Sequence, residues 1–103
     1  MRRAAKIDAN QNDIVKSLRV FGATVQSLAT IGDGAPDLLV GYRGYNILME
    51  VKDSDKPPSK RKLNNKQIKW HDAWRGQSHK IETATEAIQL CRDIHAVNFG
   101  EPF

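Results

Sequence analysis

Apolar side chains recur every three or four residues in three segments of the chain, which predicts three helices. The first spans Asn10 to Phe21 and ends at Gly22. The second begins after Asn64 and runs to about Arg75, and the third follows Thr83. Gly22 is a typical C-terminal stop signal, and the starts of the later helices carry residues that cap helix N-termini.

Segments rich in β-formers lie between these helices and predict strands at 23–29, 37–42, 45–52 and 79–83. The tight turn Arg43-Gly44 joins the second strand to the third. The order helix, three strands, helix, strand, helix predicts an α/β domain spanning residues 1–103. Its mixed four-stranded sheet starts as an antiparallel meander, and a helical crossover then brings in a parallel fourth strand.

The second helix has an apolar stripe that we expect to be buried, formed by Ile68, His71 or Trp70, and Trp74. The two tryptophans are four residues apart and could instead stack on exposed bases. Core packing or a subunit interface is favoured, because each indole buries a large area. The single Cys91 falls in the apolar pattern of the third helix, where we expect a small core residue.

Composition and charge point to a small protein with an anionic partner. The chain has 103 residues, 40% hydrophobic and 27% charged, and its net charge is +4. It contains no apolar run long enough for a membrane span and no secretory signal, so we expect a cytoplasmic protein. The segment 53–63 has no periodicity and predicts an exposed loop. Five basic residues in or near it are expected to contact a nucleic-acid backbone: Lys56, Lys60, Arg61, Lys62 and Lys66.

Two carboxylates are brought together by the predicted hairpin. A two-residue turn at Arg43-Gly44 pairs Tyr42 with Tyr45, and counting back along both strands places Asp37 opposite Glu50. Like charges directly opposite one another are destabilising, so a divalent cation is expected to offset the repulsion.

Lys52 lies on the same face as Glu50, and the Val51 carbonyl between them is a further candidate ligand. Oxygen ligands of this kind suit Mg²⁺ or Mn²⁺. A surface ion pair between Glu50 and Lys52 would explain neither Asp37 nor the apolar neighbours.

The pattern Pro36-Asp37, twelve residues, then Glu50-Val51-Lys52 resembles the signature of the PD-(D/E)XK nuclease superfamily. Gly34 to Val40 and Leu48 to Lys52, with Gln67 opening the following helix, are similar to the VRR-NUC domain. This resemblance implies a restriction-endonuclease-like αβββαβ core. It also implies Mg²⁺- or Mn²⁺-dependent cleavage of DNA, with Asp37 and Glu50 as metal ligands and Lys52 as the catalytic lysine. The resemblance further implies in-line attack by a metal-activated water, leaving a 5′-phosphate and a 3′-hydroxyl.

Two glutamines extend this candidate site. Many relatives place a glutamate on the first helix, where this chain has Gln11, so Gln11 is the candidate for that catalytic position. Gln67 matches a family position near the active site, where it could also contact nucleic acid. Its alternative role is to close a capping box with Asn64.

The expected function is an endonuclease that selects branched, junction or flap DNA and acts as a homodimer in a bacterial or phage-infected cell. A DNA-binding module of the same fold with a weak or inactive site is one alternative, and Gln11 favours it. An assembly subunit with a structural cation is another.

Overall fold

A mixed four-stranded sheet organises the protein in the computed structural model, which describes residues 8–98. Three helices and one short 3-10 helix accompany it. In chain order the elements are α1 (Gln11–Phe21), β1 (Thr24–Ser27), β2 (Leu38–Tyr42), β3 (Tyr45–Val51), the 3-10 helix (Pro58–Lys60), α2 (Asn65–Ala73), β4 (Ser78–Ile81) and α3 (Ala84–Asn98).

The sheet has the strand order β1-β2-β3-β4. The first three strands pair antiparallel, and β4 runs parallel to β3 after the chain has crossed over through α2. The predicted α/β fold class and its mixed sheet are therefore confirmed. Each strand is one to three residues shorter than its sequence pattern suggested, because pairing ends where the chain turns into the loops.

The hairpin between β2 and β3 has the predicted register. Arg43 and Gly44 both adopt positive φ, 47° and 89°, which is the backbone of a two-residue turn that matches strand twist. Tyr42 pairs with Tyr45, and the ladder continues to Leu38 opposite Met49. One further step along both chains brings Asp37 level with Glu50.

One face of the sheet carries the hydrophobic core. Ile14 and Leu18 of α1 and Ala87 and Cys91 of α3 are buried there. They pack with the buried strand residues Leu38, Val40, Ile47, Met49, Val51 and Ile81. Cys91 is thus the core residue that its sequence pattern predicted. Burial raises the pKa of its thiol, which keeps it protonated.

Helix α2 overturns the prediction of a buried apolar stripe. It contains no buried residue, and Ile68 and Trp74 are 43% and 47% exposed. The helix also ends at Ala73 rather than about Arg75, because Trp74 adopts an extended backbone. Polar contacts hold it to the other face of the sheet, among them a 2.8 Å hydrogen bond between His71 Nδ1 and Ser78 Oγ. Helical spacing of large side chains therefore did not predict burial here.

The segment 53–63 is more ordered than its sequence predicted. Asp53 is buried, and its Oδ1 accepts a 2.9 Å hydrogen bond from the Asp55 backbone N–H. The 3-10 helix Pro58–Lys60 follows directly after Pro57. Within residues 8–98 there is no helix with the length and apolarity needed to cross a membrane.

Candidate functional site

Two carboxylates meet at the open end of the β2–β3 hairpin. Glu50 lies near the end of β3 and is 2% exposed. Its Oε2 accepts a 3.0 Å hydrogen bond from Gln67 Nε2. Asp37 stands just before β2, and its Oδ2 accepts a 2.8 Å hydrogen bond from the Val51 backbone N–H. This bond ties the end of β3 to the start of β2. It therefore fixes Asp37 beside Glu50.

Burial is the main reason why Glu50 is reluctant to ionise. It raises the pKa of Glu50 from 4.5 to about 9, and the neighbouring Asp37 carboxylate adds to the rise by hydrogen bonding and charge. The ammonium of Lys52 lowers the pKa of Glu50, whereas Asp8 raises it slightly. A proton or a cation is therefore needed to stabilise the buried Glu50 carboxylate beside Asp37 at neutral pH.

Lys52 lies on the same face as the two carboxylates. Its Nζ is 4.0 Å from Glu50 Oε2, and its side chain is 13% exposed. The ammonium also donates a 2.9 Å hydrogen bond to Gln67 Oε1. Lys52 is thus held in one position at the edge of the site, with part of its surface open to a bound molecule.

Gln67 closes the predicted capping box and also contacts Lys52 and Glu50. Its Oε1 accepts a 2.9 Å hydrogen bond from the Asn64 backbone N–H, while Asn64 Oδ1 accepts one of 2.9 Å from the Gln67 backbone N–H. This is the predicted capping box of α2. The same side-chain amide contacts Lys52 and Glu50. The first turn of α2 and the charged site therefore share one residue.

The glycine loop before β2 supports this arrangement from the other side. Gly34 has a φ of 85°, and a Cβ on it would collide with the backbone carbonyl of Lys66. Because Lys66 directly precedes Gln67, the loop packs against the start of α2 with no room for a side chain. The sequence showed only a turn here, and nothing in it pointed to this close approach.

Gly34→Ala should therefore displace the start of α2 and weaken the contacts that Gln67 makes. We expect a loss of about 2 kcal/mol in the free energy of unfolding, from the strained φ and the overpacking together. Gly32→Ala is the matched control, since Gly32 also has a positive φ, 77°, but open space around it. Urea denaturation of both variants checks this. Equal losses would show that the contact with Lys66 contributes nothing.

The start of α1 lies beside the end of β3. Asn10 Nδ2 donates hydrogen bonds to the carbonyls of Lys52 and Glu82, at 3.0 and 2.9 Å. Sequence reasoning missed this bridge, because it placed Asn10 in the helix, where an asparagine side chain carries no signal of a distant partner. Gln11 follows it, 4% exposed, and its buried Oε1 accepts no hydrogen bond from residues 8–98.

The donors gathered here fit a hard divalent cation. They are oxygen atoms, and two of them, Glu50 Oε1 and Gln11 Oε1, are buried without a hydrogen-bond partner in the described part of the chain. Within that part no three His, Cys, Asp or Glu side chains cluster to hold a metal. A cation bound here would thus have two carboxylate ligands, those of Asp37 and Glu50. The backbone of Val51 and water or substrate oxygens would complete the ligand set.

The five predicted basic contacts fall into two groups. Lys56 forms a 2.9 Å ion pair with Asp8, and Arg61 forms one of 3.2 Å with Glu82. The other three, Lys60, Lys62 and Lys66, are exposed and form no ion pair within residues 8–98. Asp8 and Glu82 thus offset part of the charge that the sequence assigned to one continuous cluster.

Glu50 should make the metal-free protein less stable as pH rises. Its pKa is raised in the folded state, so its contribution is complete below pH 4.5 and is lost as pH rises toward 9. From pH 7 to 9 we expect a loss of about 2 kcal/mol, or about 10 °C in Tm. Thermal melts in EDTA measure this.

Glu50→Gln should remove most of that loss, because an amide can take the place of the protonated acid, while the buried Cys91 thiol keeps a smaller dependence near pH 9. Adding Mg²⁺ at pH 8 should raise the Tm of the wild-type protein and leave that of the variant unchanged. Parallel pH profiles for the two proteins would contradict the assignment of the buried charge to Glu50.

Comparison with known structures places this geometry in a class. A solved structure described as a VRR_NUC domain matches the chain with a TM-score of 0.58 and 26% sequence identity. The match covers 80% of this chain and 89% of the other. It suggests a nuclease-type domain. More particularly, it supports a VRR-NUC domain with the restriction-endonuclease-like fold, in agreement with the resemblance seen in the sequence. No family model and no curated protein sequence matches the chain.

Proposed function

We propose that this protein is an endonuclease that hydrolyses DNA phosphodiester bonds with the help of Mg²⁺ or Mn²⁺. The observation that carries the proposal is the pair formed by the buried Glu50 and the half-buried Asp37 beside Lys52, in a chain that matches a VRR-NUC domain. Such a pair is costly in a protein that makes no use of it, because burial and mutual repulsion both oppose its ionisation.

In this proposal the cation would be held by the Asp37 and Glu50 carboxylates and the Val51 carbonyl. When bound it would supply Lewis-acid chemistry, that is, polarisation of a phosphoryl oxygen and easier ionisation of a water molecule. Lys52 stabilises the charge that develops on the phosphate, or orients the attacking water. Gln67 positions Lys52 through the 2.9 Å hydrogen bond to its Nζ. In this proposal Gln11 takes the place of the family glutamate, and its Oε1, which has no hydrogen-bond partner among residues 8–98, would accept a hydrogen bond from a water molecule.

The three lysines that form no ion pair within residues 8–98 provide the contact with the DNA backbone. Lys60, Lys62 and Lys66 lead from the 3-10 helix to the start of α2, directly beside Gln67. Contacts of this kind position a substrate without reading its sequence. We therefore propose that the enzyme selects DNA by structure, cutting branched, junction or flap DNA as a homodimer in the cytoplasm of a bacterial or phage-infected cell. A twofold dimer would present two such sites to two strands.

Cleavage of a panel of linear, flapped, forked and four-way DNA substrates tests the proposal. We expect cleavage with Mg²⁺ or Mn²⁺, none with EDTA, and products with 5′-phosphate and 3′-hydroxyl ends. Preference for branched substrates would support selection by structure. DNA binding without cleavage under any metal would instead identify a binding module, and Gln11→Glu in the same assay would show whether the missing carboxylate is the reason.

A further inference from the structure

An apolar cleft lies on the same face of the sheet as the carboxylate pair. It has a volume of about 440 Å³. Its walls include Ile31, Pro36, Leu39, Leu48, Trp70 and Trp74. We call it the tryptophan cleft. The two indoles stack on each other with their ring centres 4.6 Å apart and their planes 15° from parallel.

The tryptophan cleft begins about one nucleotide away from the carboxylates. Leu39 and Leu48 are paired across the hairpin and lie two residues from Asp37 and Glu50 on the same face, a distance of about 7 Å along the strands. On the helix, Trp70 follows Gln67 by about 4.5 Å along the axis. A strand with a phosphate at Glu50 would therefore bring its next base to these walls.

The cleft also holds one aromatic face open. Trp74 is 47% exposed even though it stacks on Trp70. Gly76 makes this position possible, because a Cβ there would lie 2.8 Å from Trp74 Nε1. The exposed amide residues Asn46 and Gln77 line the same cleft and can exchange hydrogen bonds with the edge of a planar ligand.

From this placement we infer that the tryptophan cleft binds an unpaired nucleobase adjacent to the phosphate held at Asp37 and Glu50. The inference rests on the proposed function and names the feature of the substrate that the site reads. Stacking on tryptophan tolerates any base, because every base has a π face. The substrate would be DNA that is single-stranded or splayed at the cleavage point, as at a flap or a branch.

Charge favours a nucleic acid over a second copy of the chain as the occupant. Exposed cations on and after α2, namely Lys66, Lys69 and Arg75, outnumber the exposed carboxylate of Asp72 on the same helix. A twofold contact between two such helices would bring these like charges together, whereas a DNA strand neutralises them.

Tryptophan fluorescence tests the inference directly, because both tryptophans of the chain line the cleft. The protein is titrated in EDTA with an oligo-dT and with an abasic oligomer of equal length and charge. We expect quenching by oligo-dT and about 10-fold weaker binding of the abasic oligomer. Equal affinities for the two oligomers, or no binding of either, would overturn the inference.

Variants of Trp74 separate stacking from a structural role. Measured by anisotropy of labelled oligomers, Trp74→Ala should weaken binding of oligo-dT about 10-fold and leave binding of the abasic oligomer unchanged, while Trp74→Phe should retain most of the difference. Circular dichroism confirms folding. If sedimentation shows that Trp74→Ala dissociates a dimer while the preference for bases is unchanged, the cleft is a subunit interface and the inference fails.

The two proposals can fail independently. Base-dependent binding in EDTA, with no cleavage of any substrate in Mg²⁺, would leave the cleft assignment standing and reject the nuclease. Cleavage in Mg²⁺ without any preference for bases over abasic sites would do the reverse.

Discussion

Replacing Glu50 with Gln should lower the rate of DNA cleavage in Mg²⁺ by at least about 100-fold. Mutating a residue that only orients a metal ligand already lowers activity by up to about 100-fold, and loss of the ligand itself should lower it at least as much. The side chain keeps its shape. Its oxygen can still accept the hydrogen bond from Gln67 Nε2, and its amide can face Asp37. DNA affinity should therefore change by less than about twofold, since binding depends on the exposed lysines. Single-turnover cleavage and fluorescence anisotropy measure the two quantities.

The matched control for this variant is Asp33→Asn. Asp33 is an exposed carboxylate in the loop that leads to Asp37, and its φ of 57° suits asparagine equally well. Its substitution removes the same charge without touching the buried pair, so cleavage should be unaffected. Comparable loss of cleavage in both variants would mean that the site responds only to net charge, and the metal-ligand role of Glu50 would be wrong.

Lys52→Ala should reduce cleavage by about 10²–10³-fold, the usual cost of removing a group that stabilises charge in the transition state. The capping box remains, because Gln67 still bonds to the backbone of Asn64. Helix α2 should therefore stay folded, and the defect should appear in kcat rather than in DNA affinity. Measuring kcat and KM on the preferred substrate checks this.

Lys80→Ala is the control for the lysine. Lys80 is the strand partner of Glu50 on β4, but its Nζ is directed to Glu82, 3.5 Å away, and to the carbonyl of Arg61. If cleavage required only a positive charge near Glu50, the two alanine variants would lose kcat to the same extent. A specific role for Lys52 requires that Lys80→Ala retain nearly full kcat.

The hairpin and the carboxylate register could be predicted because they depend on short-range rules. A two-residue turn with positive φ at both positions fixes which residues pair, and side-chain alternation then fixes the face. Asp37, Glu50 and Lys52 follow from the Arg43-Gly44 turn by counting. The capping box of α2 could be predicted equally well, because Asn64 and Gln67 are only three residues apart in the sequence.

The contacts that could not be predicted join residues far apart in the sequence. Lys56 is neutralised by Asp8, and Asn10 bridges Lys52 and Glu82. No periodicity relates such residues. The charge pattern therefore suggested one basic surface, whereas the fold divides these residues into ion-paired and exposed ones. The failure at α2 has a different cause. The four-residue spacing does bring Trp70 and Trp74 together, but Trp74 lies just beyond the helix and both side chains face an open cleft.

The double attachment of Gln67 restricts what evolution can place there. A glutamate at position 67 would close the capping box equally well. It has no N–H to donate to Glu50, however, and would add a third negative charge beside Asp37 and Glu50. Alanine would forfeit both attachments. The first turn of α2 and the contacts of Gln67 with Lys52 and Glu50 therefore form together. Local fraying of that one helical turn would break up the site while the sheet stays intact.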